Sequence, residues 1–176
     1  MIVCLDGAYG VGKTTVAKVV KKKLFWKNVE ILDSDYYYMS WIKESPLQFV
    51  FGGTAPQFNA NFISKYLKLI EEKAIDSGRI IISVMSLSDD ACVNGLLYAL
   101  QDKGYDVKHI ILTASLDVLK QRVDNRPKDE KIFAISNIEL QLHYFDKEFK
   151  DAFRINTEEK SVEVIANEII QIILGG

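Results

Sequence analysis

The chain has 176 residues, a length that can bury a substantial core as a single domain over residues 1–176. Hydrophobic residues make up 48% of the chain, which is typical of a globular protein. The formal net charge of −2 argues against a broad basic surface, so we expect no nucleic-acid partner.

The first apolar run, at residues 2–5, is too short for a secretory signal, and no apolar stretch reaches the length of a membrane span. We therefore expect a cytoplasmic protein with no membrane partner. Cys4 and Cys92 belong to no zinc-binding motif, and His109 and His143 have no second histidine or cysteine at ligand spacing. Structural roles are predicted for all four.

The first predicted elements are a buried strand at residues 2–5 and a helix over 15–20, joined by a glycine-rich loop. Residues 7–14 read GAYGVGKT, which matches the phosphate-loop pattern G-x-x-x-x-G-K-[ST]. Its backbone N–H groups and the positive end of the helix favour a bound phosphate over a ligand-free turn. The G-x-G-x-x-G spacing of a dinucleotide site is absent. The predicted nucleotide-binding residues here are Gly7, Ala8, Tyr9, Gly10, Val11, Gly12, Lys13, Thr14 and Thr15.

The remaining elements alternate between strands and helices. Strands are predicted at residues 29–32, 79–84, 107–112 and 152–155, and helices at 36–44, 57–76, 88–103, 116–125, 134–149 and 162–173. A loop is predicted at 51–56, and a mobile loop at 126–132, which is charged and contains Pro127. This alternation predicts a three-layer α/β/α fold with a parallel sheet of about five strands. Ligands lie beyond the carboxyl ends of such strands, so residues 7–14, 33–35 and 85–89 should surround one cleft.

The phosphate loop, the short length and the strand end Asp33-Ser34-Asp35 together resemble the small P-loop kinases, the group of shikimate, gluconate and chloramphenicol kinases. Residues 112–126 are similar to the strand, helix and arginine-bearing lid of that group. The resemblance is strongest to the tunicamycin-resistance ATP-binding proteins, through residues 7–10, 33–35, the strand around Val84 and the tail 156–158. It covers most of the chain.

The resemblance implies a P-loop NTPase fold with ATP as the bound nucleotide and a lid over residues 122–133. Of Arg122 and Arg126, one would stack on adenine and the other would meet phosphate. By the same resemblance, Asn156 and Thr157 would lie near the base. The chain departs from the usual pattern at the third strand, which ends without a carboxylate, at Ser83-Val84-Met85-Ser86.

Phosphoryl transfer needs cations around the γ-phosphate and a carboxylate that orients the attacking hydroxyl. Lys13, Arg122 and Arg126 are the candidate cations. Asp33 or Asp35 is the candidate carboxylate, because alternation along an extended segment would point both to one side. Thr14 and Asp33 are the candidate ligands of Mg²⁺. Two alternatives remain open, namely that Asp35 caps a helix and that Arg122 belongs to a solvated helix face.

The acceptor region, residues 35–66, lacks the arginine forks that recognise carboxylates and phosphates, because residues 28–78 contain no arginine. It is aromatic instead, with some of these rings assigned to the core: Tyr36, Tyr37, Tyr38, Trp41, Phe49, Phe51, Phe58, Phe62 and Tyr66. We expect a largely neutral small-molecule acceptor with an apolar or stacking part, such as a nucleoside or an antibiotic.

The sequence thus predicts an ATP- and Mg²⁺-dependent kinase that phosphorylates a hydroxyl of a small molecule. Two other functions stay open: an ATP-loaded protein that sequesters its ligand without phosphorylating it, and a GTPase-like switch. The absence of an N-K-x-D guanine motif weighs against the switch. The chain is predicted to be a monomer or a homodimer, since the aromatic segment could also form a dimer contact.

Overall fold

A computed structural model describes residues 1–44, 60–76, 78–150 and 152–175 of the chain. Five parallel strands form one sheet in the order β2-β3-β1-β4-β5. Their bounds are β1 (Ile2–Gly7), β2 (Asn28–Asp33), β3 (Arg79–Val84), β4 (Val107–Thr113) and β5 (Phe153–Asn156). Every residue of the central strand β1 is buried, as expected of a strand covered on both faces. The predicted fold class is confirmed.

Helices flank the sheet and connect its strands. They are α1 (Lys13–Lys23), α2 (Ser34–Glu44), α3 (Ala60–Ala74), α4 (Asp90–Cys92, Val93–Tyr98 and Ala99–Asp102 taken together), α5 (Leu116–Val123), α6 (Lys128–Glu148) and α7 (Val162–Leu174). Helix α1 packs on α7, α3 on α4, and α5 on α6. Within the described ranges, none of these helices is long and apolar enough to cross a membrane.

The prediction of a loop at residues 126–132 is wrong, because α6 already begins at Lys128. Pro127 stands at the N-cap, a position where its missing N–H costs nothing, and Asp129 and Glu130 occupy the first turn. The charges that suggested a loop are therefore those that favour the start of a helix. Consequently the predicted lid is a short turn between two helices, since α5 ends at Val123 rather than at residue 125.

Two other predicted segments differ in detail. Helix α4 begins at Asp90 rather than at residue 88, because the Asp89 carboxylate caps it by accepting the N–H of Cys92 at 2.8 Å. Its middle, Val93–Tyr98, is π-helical. A side chain at Gly95 would overlap Ile63, so this glycine lets α3 approach α4. The predicted loop at 51–56 and the predicted start of α3 at residue 57 lie outside the described residues.

A buried tyrosine ties α3 to the sheet. The hydroxyl of Tyr66 donates to the carbonyl oxygen of Leu32 at 2.8 Å and lies 3.1 Å from the Ser83 hydroxyl. Its ring stacks on Phe62, with the centroids 5.4 Å apart. Thus the predicted core assignment of Phe62 and Tyr66 is confirmed, and Ser83 serves as a partner in the core at the strand end that lacks a carboxylate.

Replacing Tyr66 with phenylalanine tests this tie. The Tyr66→Phe variant should lose about 1–2 kcal/mol of unfolding free energy, because the buried Leu32 carbonyl loses its hydroxyl donor. Urea denaturation measures this loss. Tyr98→Phe is the matched control, since Tyr98 is 42% exposed and makes no side-chain hydrogen bond within the described part of the chain. Equal stability of the two variants would contradict the proposed tie.

Candidate active site

The loop between β1 and α1 has a backbone that glycine adopts without strain. Gly7 has φ 138° and Gly12 has φ 100°. A Cβ at Gly7 would lie 2.5 Å from the carbonyl oxygen of Leu112, so the loop is pressed against β4. Gly12 precedes the first turn of α1, which contains no acidic residue. The positive end of α1 therefore faces the loop, as anion binding requires.

Lys13 lies across this loop. Its ammonium donates to the carbonyl oxygens of Gly7 at 2.5 Å and Ala8 at 3.3 Å, and to the hydroxyl of Ser86 at 3.1 Å. Desolvation lowers the pKa of Lys13, and the nearby carboxylates of Asp6, Asp35 and Asp33 oppose that shift. The cation is thus held at the place where the loop would receive phosphate.

The other loop residues occupy both sides of the same turn. Ala8 and Val11 are buried, and the N–H of Val11 donates to the Ala8 carbonyl at 3.3 Å. At Gly10 a Cβ would approach the Val123 side chain to 2.9 Å, which brings α5 against the loop. Thr15 is exposed in the first turn of α1.

Thr14 and Asp33 meet across the cleft, as predicted for a pair of magnesium ligands. The Thr14 hydroxyl donates to Asp33 Oδ2 at 2.8 Å. Hydroxyl and carboxylate oxygens suit Mg²⁺, which proteins usually bind through one or two side chains together with phosphate and water. No cluster of three or more metal-binding side chains occurs among the described residues, so phosphate oxygens would have to complete the coordination.

Asp35 lies in the first turn of α2, not on an extended segment with Asp33, because the helix begins at Ser34. The alternative that Asp35 caps the helix is also wrong, since Asp33 Oδ1 accepts the N–H of Asp35 at 3.1 Å. Desolvation raises the pKa of Asp35 and Asp33 adds to the shift, whereas Lys13 and Arg126 oppose it, and the residue is exposed to solvent. The two carboxylates therefore differ in environment.

Asp6 is a buried residue of the site for which the sequence analysis predicted no role. Its Oδ1 accepts the N–H groups of Gly7 at 2.7 Å and Leu87 at 3.0 Å, and its Oδ2 lies 3.1 Å from His109 Nε2. The side chain is fully buried. A carboxylate at the end of an otherwise apolar strand was the available signal, because such a group must find partners.

Two further polar side chains hold the loop and were also missed. The Ser86 hydroxyl donates to the Gly7 carbonyl at 3.0 Å and accepts a hydrogen bond from the Lys13 ammonium. The side-chain oxygen of Gln141, buried on α6, accepts the N–H of Tyr9 at 3.1 Å. Nothing local in the sequence marks Gln141, because its role depends on how α6 packs over the loop.

The structure brings Arg122 and Thr157 together, in line with the predicted nucleotide-binding set. The guanidinium donates to Thr157 Oγ1 at 2.9 Å and to its carbonyl oxygen at 3.0 Å. Thr157 is buried and donates in turn to the Thr113 carbonyl at 3.1 Å. Arg122 therefore anchors α5 to the segment after β5 and is more than part of a solvated helix face. Asn156 is exposed, and its Oδ1 accepts the N–H of Glu158 at 2.7 Å.

Two cavities adjoin the loop and share Tyr9 and Asp35. The smaller, about 30 Å³, is lined by Tyr9, Lys13, Thr14, Asp33, Ser34, Asp35, Val84, Met85 and Ser86. The larger, about 430 Å³, is lined by Tyr9, Asp35, Tyr38, Met39, Arg126, Glu130 and Phe133. The predicted cleft at the carboxyl ends of the strands is thus present, and Arg126 faces the larger cavity.

The predicted acceptor region contributes only some of its aromatic rings to this cavity. Tyr38 lines it, whereas Trp41 is buried in the core and Tyr36 is 69% exposed. Tyr9 and Phe133, which the prediction did not include, meet edge to face with their centroids 5.7 Å apart. Phe49, Phe51 and Phe58 lie outside the described residues.

The sequence and the fold both match known proteins. The family model described as AAA domain matches residues 2–147. The tunicamycin resistance protein of Deinococcus radiodurans has a TM-score of 0.72 and 24% identity, covering 98% of this chain and 94% of that chain. The APS kinase of Mycobacterium tuberculosis, solved with AMPPNP and APS, has a TM-score of 0.68 and 17% identity, covering 98% and 96%.

The shikimate kinase of Acinetobacter baumannii, solved with shikimate, has a TM-score of 0.56 and 16% identity, covering 99% of this chain and 93% of that chain. At these identities the likeness shows the fold alone, a P-loop kinase-like fold. No curated protein is significantly similar to the chain.

Substitutions at Asp6 test whether its hydrogen bonds stabilise the fold. Asp6→Leu should cost about 2–4 kcal/mol of unfolding free energy, because the N–H groups of Gly7 and Leu87 lose their buried acceptor. Asp6→Asn retains an oxygen for both N–H groups and should cost less. Urea denaturation compares the two variants, and an Asp6→Leu protein as stable as the wild type would contradict the assigned role.

The raised pKa of Asp35 predicts a pH-dependent stability. A carboxyl whose pKa is higher in the folded protein favours folding at low pH, and this advantage is lost as the pH rises through the folded pKa. At pH 7 the desolvated carboxylate is a cost. Asp35→Asn should therefore raise the free energy of unfolding at pH 7, by less than about 1 kcal/mol because the residue is exposed, and urea denaturation measures this gain.

The gain should shrink as the pH approaches 3.8, the ordinary pKa of this carboxyl, because the wild-type side chain is then protonated in the folded state. Asp117→Asn, at an exposed carboxylate in the first turn of α5, is the control. A lower stability of Asp35→Asn than of the wild type at pH 7 would refute the desolvation argument.

Proposed function

The chain belongs to the AAA domain family, and from that premise we propose that it is an ATP- and Mg²⁺-dependent phosphotransferase that acts on a hydroxyl of a small, neutral molecule. The observation that carries the proposal is the position of Asp35. This side chain lines both the phosphate-loop cavity and the larger apolar cavity, so it stands where a phosphoryl group and an acceptor hydroxyl would meet.

Different groups of the site would contact different parts of the nucleotide. Backbone N–H groups and the positive end of α1 would receive the β- and γ-phosphates, and Lys13 would exchange its carbonyl partners for their oxygens. Thr14 and Asp33 would hold Mg²⁺, which offsets the negative charge of the phosphates when it is bound. Arg122, Asn156 and Thr157 would border the base, an assignment supported by the contact of Arg122 with Thr157.

Asp35 is the better candidate for the base that accepts the acceptor's proton. Both oxygens of Asp33 are engaged, with Thr14 and with the N–H of Asp35. The Asp35 carboxylate makes no hydrogen bond to the described residues, and desolvation raises its pKa, which makes it a stronger base.

In the proposed reaction Asp35 takes the proton of the acceptor hydroxyl while the hydroxyl oxygen bonds to the γ-phosphorus. The bond between that phosphorus and the bridging oxygen breaks, and ADP leaves. Arg126, which faces the larger cavity, would stabilise charge on the transferred group.

The lining of the larger cavity supports a neutral acceptor. Tyr9, Tyr38, Met39 and Phe133 supply apolar surface, and the charged residues among its described lining are Asp35, Glu130 and Arg126. Recognition of a carboxylate or phosphate normally uses an arginine fork free of competing acids, and here two carboxylates accompany the guanidinium. A second candidate function is sequestration of a ligand by the ATP-loaded protein, which the fold shared with a tunicamycin resistance protein favours.

A product search tests the proposal. The purified protein is incubated with ATP, Mg²⁺ and a pool of metabolites and hydroxylated antibiotics, and mass spectrometry identifies any compound that gains one phosphate. We expect a neutral hydroxyl compound, and its phosphorylation should fall at least about 100-fold in Lys13→Ala, since this cation would contact the transferred phosphate in the proposed reaction. Lys18→Ala, at an exposed lysine of the same helix, should retain the wild-type rate.

The other outcomes discriminate between the functions. Transfer near the wild-type rate in Lys13→Ala would overturn the site assignment. Tight ATP binding without a product across the pool would favour sequestration. An acidic metabolite as the phosphorylated compound would leave the kinase intact and refute the neutral acceptor.

A further inference from the structure

An exposed aromatic pair lies at the opposite end of the molecule from the phosphate loop. Phe25 is 82% exposed and Trp26 is 60% exposed, and their rings meet edge to face with the centroids 5.1 Å apart. They occupy the turn between α1 and β2. The turn is held in place by Leu24, whose side chain is buried in the core and whose carbonyl accepts the N–H of Lys27 at 2.9 Å.

A third exposed apolar side chain lies at the same edge of the sheet, where the strands begin. Ile75, just after α3, is 83% exposed. Its neighbour Asp76 accepts a hydrogen bond from the Asn28 side chain at 3.0 Å, which places Ile75 beside the start of β2. Phe25, Trp26 and Ile75 together are called the apolar tip. Phe25 and Ile75 are more exposed than any other large apolar side chain of the described residues.

Lysines surround the apolar tip. Lys21, Lys22 and Lys27 are exposed, and none forms an ion pair with a residue of the described ranges. Residues 7–29 contain no acidic residue, although the whole chain has a formal net charge of −2. Near Ile75 the acids Asp76 and Glu30 are paired with Arg79 and Lys73, so the unpaired positive charge lies beside the exposed rings.

We propose that the apolar tip docks on a membrane surface that carries anionic lipids. Aromatic rings are favoured at the boundary between head groups and acyl chains, and lysines beside them attract anionic head groups. A second copy of the chain is a poorer occupant, because a two-fold contact would bring lysines against lysines. The expectation of no membrane partner rested on the absence of a span, whereas a docked tip needs none.

Such docking leaves the candidate active site open. Helix α1 runs from the phosphate loop to the turn that carries the tip, and its 11 residues extend over roughly 16 Å. The cleft at the carboxyl ends of the strands thus faces away from the bilayer, toward nucleotide in solution. The docking does not depend on phosphoryl transfer, so its test is independent of the proposed kinase activity.

Tryptophan fluorescence with vesicles tests the proposal on the full chain. The chain has two tryptophans, and Trp41 is only 9% exposed, so Trp26 should dominate any change. We expect a blue shift and co-sedimentation with vesicles of equal parts phosphatidylcholine and phosphatidylglycerol, both weakened by high salt. Phosphatidylcholine vesicles alone should bind much more weakly. Co-sedimentation without a blue shift would overturn docking through the tip.

Paired variants separate the rings from the charges. Lys21→Gln with Lys22→Gln should weaken binding to the anionic vesicles by about 30-fold, and Phe25→Ser with Trp26→Ser should abolish co-sedimentation. The matched controls are Lys68→Gln with Lys150→Gln and Leu140→Ser with Val164→Ser, at exposed positions elsewhere. Thermal unfolding checks that each variant folds.

Three results would refute membrane docking. The controls could weaken binding as much as the tip variants do, or the protein could bind both kinds of vesicle equally. In the third, the protein would not bind vesicles and would be a dimer in analytical ultracentrifugation, while the variant with both Phe25→Ser and Trp26→Ser would be a monomer. The tip would then be a contact between two copies.

Discussion

A buried carboxylate connects the strand that begins the phosphate loop to the strands on both of its sides. Asp6 is the next-to-last residue of β1, accepts N–H groups from Gly7 and from Leu87 after β3, and lies close to His109 on β4. A buried acid without partners is costly, so the surrounding backbone has to adopt the positions that satisfy it. Because Ser86 precedes Leu87 and contacts Lys13, the same constraint sets the place of the Lys13 ammonium.

Sequence patterns predicted well what depends on neighbouring residues. The glycine spacing from Gly7 to Gly12 specifies a local backbone, and the alternation of apolar runs specifies a covered parallel sheet, so both were predicted correctly. Local charge was misleading at residues 126–132. There a proline and two acids mark the start of α6 as readily as a loop, and only the packing of α6 decides between them.

Tertiary contacts account for the features that the sequence could not indicate. Gln141 is more than a hundred residues away from Tyr9, yet its side chain fixes a loop N–H, because α6 lies over the loop. The roles of Asp33 and Asp35 separate only when α2 begins at Ser34, which places one carboxylate beside Thr14 and the other between two cavities. The helix start is a single backbone event, but it separates the acid that we propose as a metal ligand from the one that we propose as the base.

Two features of the structure are unfavourable for the stability of the isolated chain. Desolvation disfavours the charge of Asp35, which lowers stability at neutral pH, and we propose this carboxylate as the base of the reaction. Phe25, Trp26 and Ile75 are exposed at the other end, where a soluble surface would gain nothing from them. Neither feature serves the stability of the isolated chain. Our two proposals would explain each by contact with a second molecule, a hydroxyl acceptor at one end of α1 and a lipid surface at the other.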